Sequence, residues 1–95
     1  MKDENKKLMK IFLRAARLAT SGASDDRNEE ILGVYIYDAI SFLKIADLLR
    51  KDSSKKAGDK YNGLDTAARE YVYSVCSPVQ AKRMDEWEHN NYLGV

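Results

Sequence analysis

The sequence predicts an all-α protein: a small bundle of three or four helices, with a long second helix as its spine and several copies of the chain in the assembly. Apolar residues recur at three- and four-residue steps along most of the chain, which is helical periodicity. No stretch alternates apolar and polar residues in the two-residue rhythm of a strand. The 95 residues hold one Pro and five Gly, too few for a turn-rich β fold.

The first helix is expected over about Asn5 to Thr20. Leu8, Ile11, Phe12, Ala15, Leu18 and Ala19 fall on one stripe, and Lys6, Lys10, Arg14 and Arg17 line the other side. "SGAS" ends it, with Gly22 as the expected C-terminal cap. Ser24, Asp25 or Asp26 can cap the second helix, and Asp26 with Glu29 has capping-box spacing. That helix is expected to run to about Lys51.

The stretch "EILGVYIYDAISFLKIADLLR", Glu30–Arg50, is apolar over most of its circumference. At 100° per residue, Ile31, Tyr35, Phe42, Ile45 and Leu49 share one side, flanked by Leu32, Ile36, Ala39, Leu43 and Ala46. Only Gly33, Tyr37, Ser41 and Lys44 form a solvent-facing strip, and Ile40 and Leu48 intrude on it. A helix this apolar is central or buried in an interface. The remaining helices are too short of apolar residues to cover it, so the expectation is a homo-oligomer built on helix 2. Asp38 lies on the apolar side. A buried carboxylate needs a partner, from the same chain or from a neighbour.

"KDSSKKAGDKYNG", about residues 51–63, is expected to be a polar, mobile connector. A third helix fits "LDTAAREYVYSVC", with Leu64, Ala67, Ala68, Tyr71, Val72 and Val75 on one face. Ser77 as N-cap and Pro78 at the first helical position start a fourth, weakly amphipathic through Val79, Met84 and Trp87.

Composition bounds the rest. Ninety-five residues make one domain, 1–95. One Cys gives no internal disulfide framework and fits a reducing compartment. The opening "MKDENKKLMK" is too charged for a secretory signal, and Asp38, Lys44 and Asp47 interrupt the longest apolar run. The expected location is the cytoplasm, with no membrane span. Six cations against two acids leave residues 1–20 at +4, and three against six leave residues 21–50 at −3. A net charge of +1 excludes generic nucleic-acid coating, which needs a strongly basic domain. It also excludes an acidic DNA mimic.

Few residues carry chemistry. Cys76 has no second Cys and His89 stands alone, so no metal ligand set exists, and no cofactor is expected. Tyr35, Tyr37, Tyr61, Tyr71, Tyr73 and Tyr92 suit packing, interfaces or base stacking. The cationic stripe of the first helix is a wet face, or a contact for phosphates or an acidic partner.

"LRAARLAT", "DDRNEE" and "IYDAISF", within residues 8–46, resemble the phage anti-CBASS sponge family of small helical proteins. Arg14, Ala15, Ala16 and Arg17 match the first helix of that family, Arg27 its turn, and Asp38, Ala39 and Phe42 its next helix. Phe42 stands where the family has Trp, and the family's N-terminal extension has no counterpart. The resemblance implies an oligomer that sequesters a cyclic nucleotide between subunits without cleaving it, in the host cytoplasm if the chain is phage-encoded. Arg14, Arg17, Arg27 and Lys44 would hold phosphates, and Tyr35 or Tyr37 would stack the base. An alternative is a protein–protein inhibitor or adaptor that meets a host protein through an exposed helix surface. A second alternative rests on Arg83 and His89 in "RMDEWEH", whose spacing resembles the HEPN ribonuclease motif. There, paired Arg and His at a dimer interface would cleave RNA. Met84 after the Arg and "HNNY" in place of H-x-Y depart from that pattern.

Overall fold

The computed structural model describes residues 1–23 and 29–92, and the side chains of residues 1–21 and 37–91. It is all-α over those residues: α1 (Asp3–Ala23), α2 (Glu29–Arg50), α3 (Ser54–Asn62), α4 (Thr66–Ser74) and α5 (Pro78–Tyr92). Gly22, expected to terminate the first helix, lies inside α1. The expected caps Ser24, Asp25 and Asp26 fall outside the described residues.

α1 and α2 share the most extensive contact. They run antiparallel, since the start of α1 meets the end of α2: the Lys2 amide donates to Asp52 Oδ1 at 3.0 Å. Ala15, Ala16 and Ala19 of α1 are buried, as are Ala39 and Ala46 of α2. Small residues at a helix–helix seam let the two backbones approach.

Asp52 ends α2 in an unusual way. The Ser53 amide donates to the Leu48 carbonyl and the Asp52 amide to the Leu49 carbonyl. This is the double bond of a left-handed helix terminus, whose turning residue is most often Gly. Here that residue is Asp52, at φ 56°. Asp is one of the few residues that tolerate this region. Its carboxylate accepts from the Lys2 amide and from Asn5 Nδ2 at 3.0 Å, so it serves as the missing cap of α1. These two bonds, the Lys2 bond first, hold the Asp52 carboxyl below the usual Asp range. A carboxyl so depressed stabilises the fold above the ordinary Asp pKa, and the contribution is lost as pH falls through the folded value. Asp52→Asn keeps the tolerated backbone and removes the charge. Its melting temperature should therefore fall less steeply below about pH 4 than that of the native chain, as read by circular dichroism. Asp47, depressed by Lys51 and Arg50, accounts for part of the acid slope that remains.

The connector expected over 51–63 holds a helix. Ala57, Gly58 and Tyr61 of α3 are buried; at i, i+1 and i+4 they form a narrow apolar strip beneath six polar neighbours. Close packing against α5 explains Gly58, where a Cβ would fall 2.4 Å from Asn91 Cγ. α5 starts at Ser77 and Pro78 as its sequence predicts, and α4 starts two residues into the expected segment. Asp65 caps α4 by accepting from the Ala68 amide at 2.8 Å. Ser77 Oγ accepts from the Gln80 amide at 3.2 Å, and Gln80 Oε1 accepts from the Ser77 amide at 2.9 Å.

Phe12 is the hub of the core. Its ring lies 6.3 Å from Phe42, 5.7 Å from Tyr61 and 5.7 Å from Trp87. One side chain of α1 thus touches α2, α3 and α5. Trp87 Nε1 donates to Ser54 Oγ at 3.0 Å, tying α5 to the start of α3. Phe42 stacks in parallel on Tyr71 of α4 at 6.2 Å.

The spine role expected for helix 2 is met in part. Ala39, Phe42, Ile45, Ala46 and Leu49 are buried. Its solvent strip holds at Tyr37 and Lys44, with Ile40 intruding as expected, but Ser41 is buried and Leu43 is exposed. A wheel ranks the sides of a helix by polarity. It does not say which flank its neighbours cover, and here the covered flank takes in Ser41 and leaves Leu43 out.

Candidate functional site

α1 carries its charge on the side away from the core. Lys6, Lys7, Lys10, Arg14 and Arg17 are exposed, and after Asp3 and Glu4 the helix has no acid. None of these five cations has an ion-pair partner among the described residues. Two exposed leucines, Leu13 and Leu18, interrupt the row. With Arg14, Arg17 and Ser21 they line a shallow hollow at the C-terminal end of the helix. Ser21 Oγ donates back to the Arg17 carbonyl at 3.1 Å. Two guanidiniums beside two apolar side chains can hold a phosphate and cover an apolar or flat group attached to it.

Tyr37 and Lys44 lie elsewhere, on the open side of α2. Seven residues apart, they sit two turns apart on one face. Tyr37 is 71 % exposed. Lys44 lies in a groove between α2 and α3 with Ile40, Leu43, Asp47, Leu48 and Lys60. Arg27 and the Tyr35 side chain fall outside the described residues. Of the six residues expected to bind a ligand, one chain places Arg14 with Arg17 in one hollow and Lys44 in another.

Arg83 and His89 do not converge. Six residues along α5 separate them by about 120° around the helix axis. Arg83 Nε lies 3.6 Å from Glu4 Oε1 of α1, while His89 is exposed beside Asp85, Glu86 and Asn90.

The Cys76 thiol is a poor nucleophile. It donates to the Val72 carbonyl at 3.2 Å, and burial raises its pKa despite the nearby Arg14 charge. Among the described residues no cluster of His, Cys, Asp and Glu is placed to hold a metal ion, and no helix is long and apolar enough to cross a membrane.

Sequence reasoning missed a polar cluster where α3, α4 and α5 meet. The Tyr73 hydroxyl contacts Asp85 Oδ1 at 2.8 Å and also Glu88 Oε2. Both carboxylates lie on one face of α5, at i and i+3. Partial burial and these two acceptors push the ionisation of Tyr73 far above its ordinary range. Nearby, the Tyr61 hydroxyl and Arg69 Nε are buried with no close hydrogen-bond geometry among the described residues. Burial first and then the Glu88 charge raise the Tyr61 pKa strongly. Glu88 thus lies close to both tyrosines: it accepts from Tyr73 and raises the ionisation of each. The available signal was the spacing Tyr73 to Asp85 and Glu88, which helical periodicity alone does not pair.

Asp38 is half-buried and has no hydrogen-bond or ion-pair partner among the described residues. Loss of water around it, and then repulsion from Asp65 at the start of α4, raise its pKa. A carboxyl raised in the folded state opposes folding once pH exceeds the unfolded value. Asp38→Asn should therefore melt at a higher temperature than the native chain at pH 7. The gain should vanish below about pH 3.5, where both chains are neutral at this position. An unchanged melting temperature at pH 7 would contradict a raised Asp38 pKa.

Compared with protein-family models, curated proteins and solved structures, the chain matches none.

Proposed function

We propose that this chain is a non-enzymatic binding protein that takes up a phosphate-bearing small molecule on the exposed face of α1. The observation that carries the reading is the row of unpaired cations with Leu13 and Leu18 beside Arg14 and Arg17. A structural wet face has no need of five like charges in a row, and like charges one turn apart cost stability. An anion relieves that repulsion and gains charge-assisted hydrogen bonds.

The resemblance to cyclic-nucleotide sponges supplies the ligand class. It also supplies a role for oligomerisation. Two cationic α1 faces repel each other when empty, and a polyanion held between them removes the repulsion. On this reading the ligand itself draws copies together, α1 face to α1 face.

Titration calorimetry of the full chain with a panel of cyclic mono-, di- and trinucleotides tests the proposal. Light scattering with and without each ligand should accompany it. Heat from at least one member, with a rise in mass on binding, supports the reading. Absence of heat from every member sinks it.

A further inference from the structure

The groove between α2 and α3 is a second surface, separate from the α1 face. Its floor is apolar: Ile40 is 47 % and Leu43 50 % exposed, and Leu48 is half-exposed. Tyr37, one turn before Ile40, extends the stripe. Together Tyr37, Ile40, Lys44 and Leu48 follow helical spacing on one face over roughly 16 Å. That length matches about three turns of a helix laid alongside, the usual footprint of helix-in-groove recognition. Isolated exposed apolar residues are ordinary, but a contiguous stripe along one groove is not.

The charges at the rim select the occupant. Lys44 lies on one side and Lys60, from α3, on the other, and neither has an ion-pair partner among the described residues. Asp47 is the acid of the groove, and its carboxylate is already engaged by Arg50 at 2.8 Å and Lys51 at 2.9 Å. Those partners hold its pKa down. The uncompensated charge at the rim is thus positive on both sides. A second copy docking by two-fold symmetry would set this patch against itself, lysines facing lysines.

We propose that the α2–α3 groove receives an acidic amphipathic helix of a partner protein. Its apolar residues lie over Ile40, Leu43 and Leu48, and its carboxylates pair with Lys44 and Lys60. Complementary charge on either side of an apolar seam sets both orientation and partner choice.

The test uses the full chain and three labelled synthetic peptides of about 15 residues, long enough for the groove. One carries Leu at i, i+3, i+4 and i+7 with Glu between. A second has the same composition scrambled so that no stripe forms. The third replaces Glu by Lys. Fluorescence anisotropy should show the acidic amphipathic peptide binding roughly ten-fold or more tightly than either control. Lys44→Glu with Lys60→Glu should reverse the preference toward the basic peptide, and Ile40→Asp should weaken both. These positions are on the surface, and circular dichroism checks that the variants fold. The proposal is overturned by no preference for the acidic stripe, or by a preference that the charge swap leaves unchanged. It is also overturned if Ile40→Asp converts an oligomer to a monomer in light scattering, since a second copy would then occupy the groove.

Discussion

Phe12→Ala should leave the chain largely unfolded or close to it at 37 °C. The ring is fully buried and contacts Phe42, Tyr61 and Trp87, side chains from three other helices. Truncating a buried Phe to Ala costs about 3–5 kcal/mol in lost transfer energy and cavity formation. Domains of this size hold roughly 5–15 kcal/mol in total, and small ones lie toward the lower end. No single neighbour can collapse into the gap, because its walls are three rigid aromatic rings on separate helices. Urea unfolding followed by circular dichroism and by Trp87 fluorescence measures the loss. Phe12→Leu should recover much of the stability, since it refills most of the volume. A midpoint for Phe12→Ala within experimental error of the native one would show that Phe12 is not the hub.

Reversing Arg14 and Arg17 together to Glu should abolish binding of the phosphate ligand identified by calorimetry. A charge-assisted hydrogen bond contributes about 1.5–3 kcal/mol, so losing two corresponds to roughly 100-fold or more in Kd before repulsion by the new carboxylates. Both residues are exposed, and neither is hydrogen-bonded through its side chain to another part of the described fold. The melting temperature should accordingly change little, separating lost binding from lost structure. Raising salt from 50 to 300 mM should weaken the native interaction in the same direction, because exposed charges are screened over about one Debye length. An unchanged Kd in the double variant would move the site off α1. The α2–α3 groove would be untouched by that result, since its cations are Lys44 and Lys60.

Much of the architecture was legible because helices announce themselves locally. The α1 stripe of Leu8, Ile11, Phe12, Ala15 and Ala19 is buried as its spacing required, whereas Leu18, expected on the same stripe, is exposed at its edge. Ser77 and Pro78 began a helix where cap chemistry placed one. The α3 segment was not legible. Its strip is Ala57, Gly58 and Tyr61, and two of those three residues barely register on a hydropathy scale. Its burial comes from the fit of Gly58 against Asn91 and of Tyr61 against Phe12 and Trp87, contacts that link distant parts of the chain. Asp52 falls in the expected connector, and no local rule pairs it with Lys2 and Asn5, about fifty residues away.

The candidate site divides in the same way. Exposure of Arg14 and Arg17 followed from the polarity of one helix. That Lys44 lies in a different hollow, and that Leu43 faces out where Ser41 does not, depended on which neighbours cover α2. Tertiary packing decides that, and it leaves no mark on a single helical wheel. Asp38 was recognisable as misplaced in its apolar surroundings. The charge that acts on it, Asp65, has the same sign as itself, and a wheel of α2 alone does not contain it.

Phe12 also sets how the molecule comes apart. α1 and α2 meet along their lengths, whereas α3, α4 and α5 join that pair through fewer contacts, α3 and α5 around the Phe12 ring and α4 through Tyr71 on Phe42. Such an arrangement divides into cooperative units of unequal stability. Amide protons of the α1–α2 seam, around Ala15 and Ala46, should exchange only on global unfolding. Those of α4 and α5 should exchange faster, through an opening in which Tyr61 and Trp87 leave Phe12 while the hairpin stays shut. The α1–α2 pair is then the persistent scaffold, and the last three helices behave as a cover held by two phenyl groups, Phe12 and Phe42.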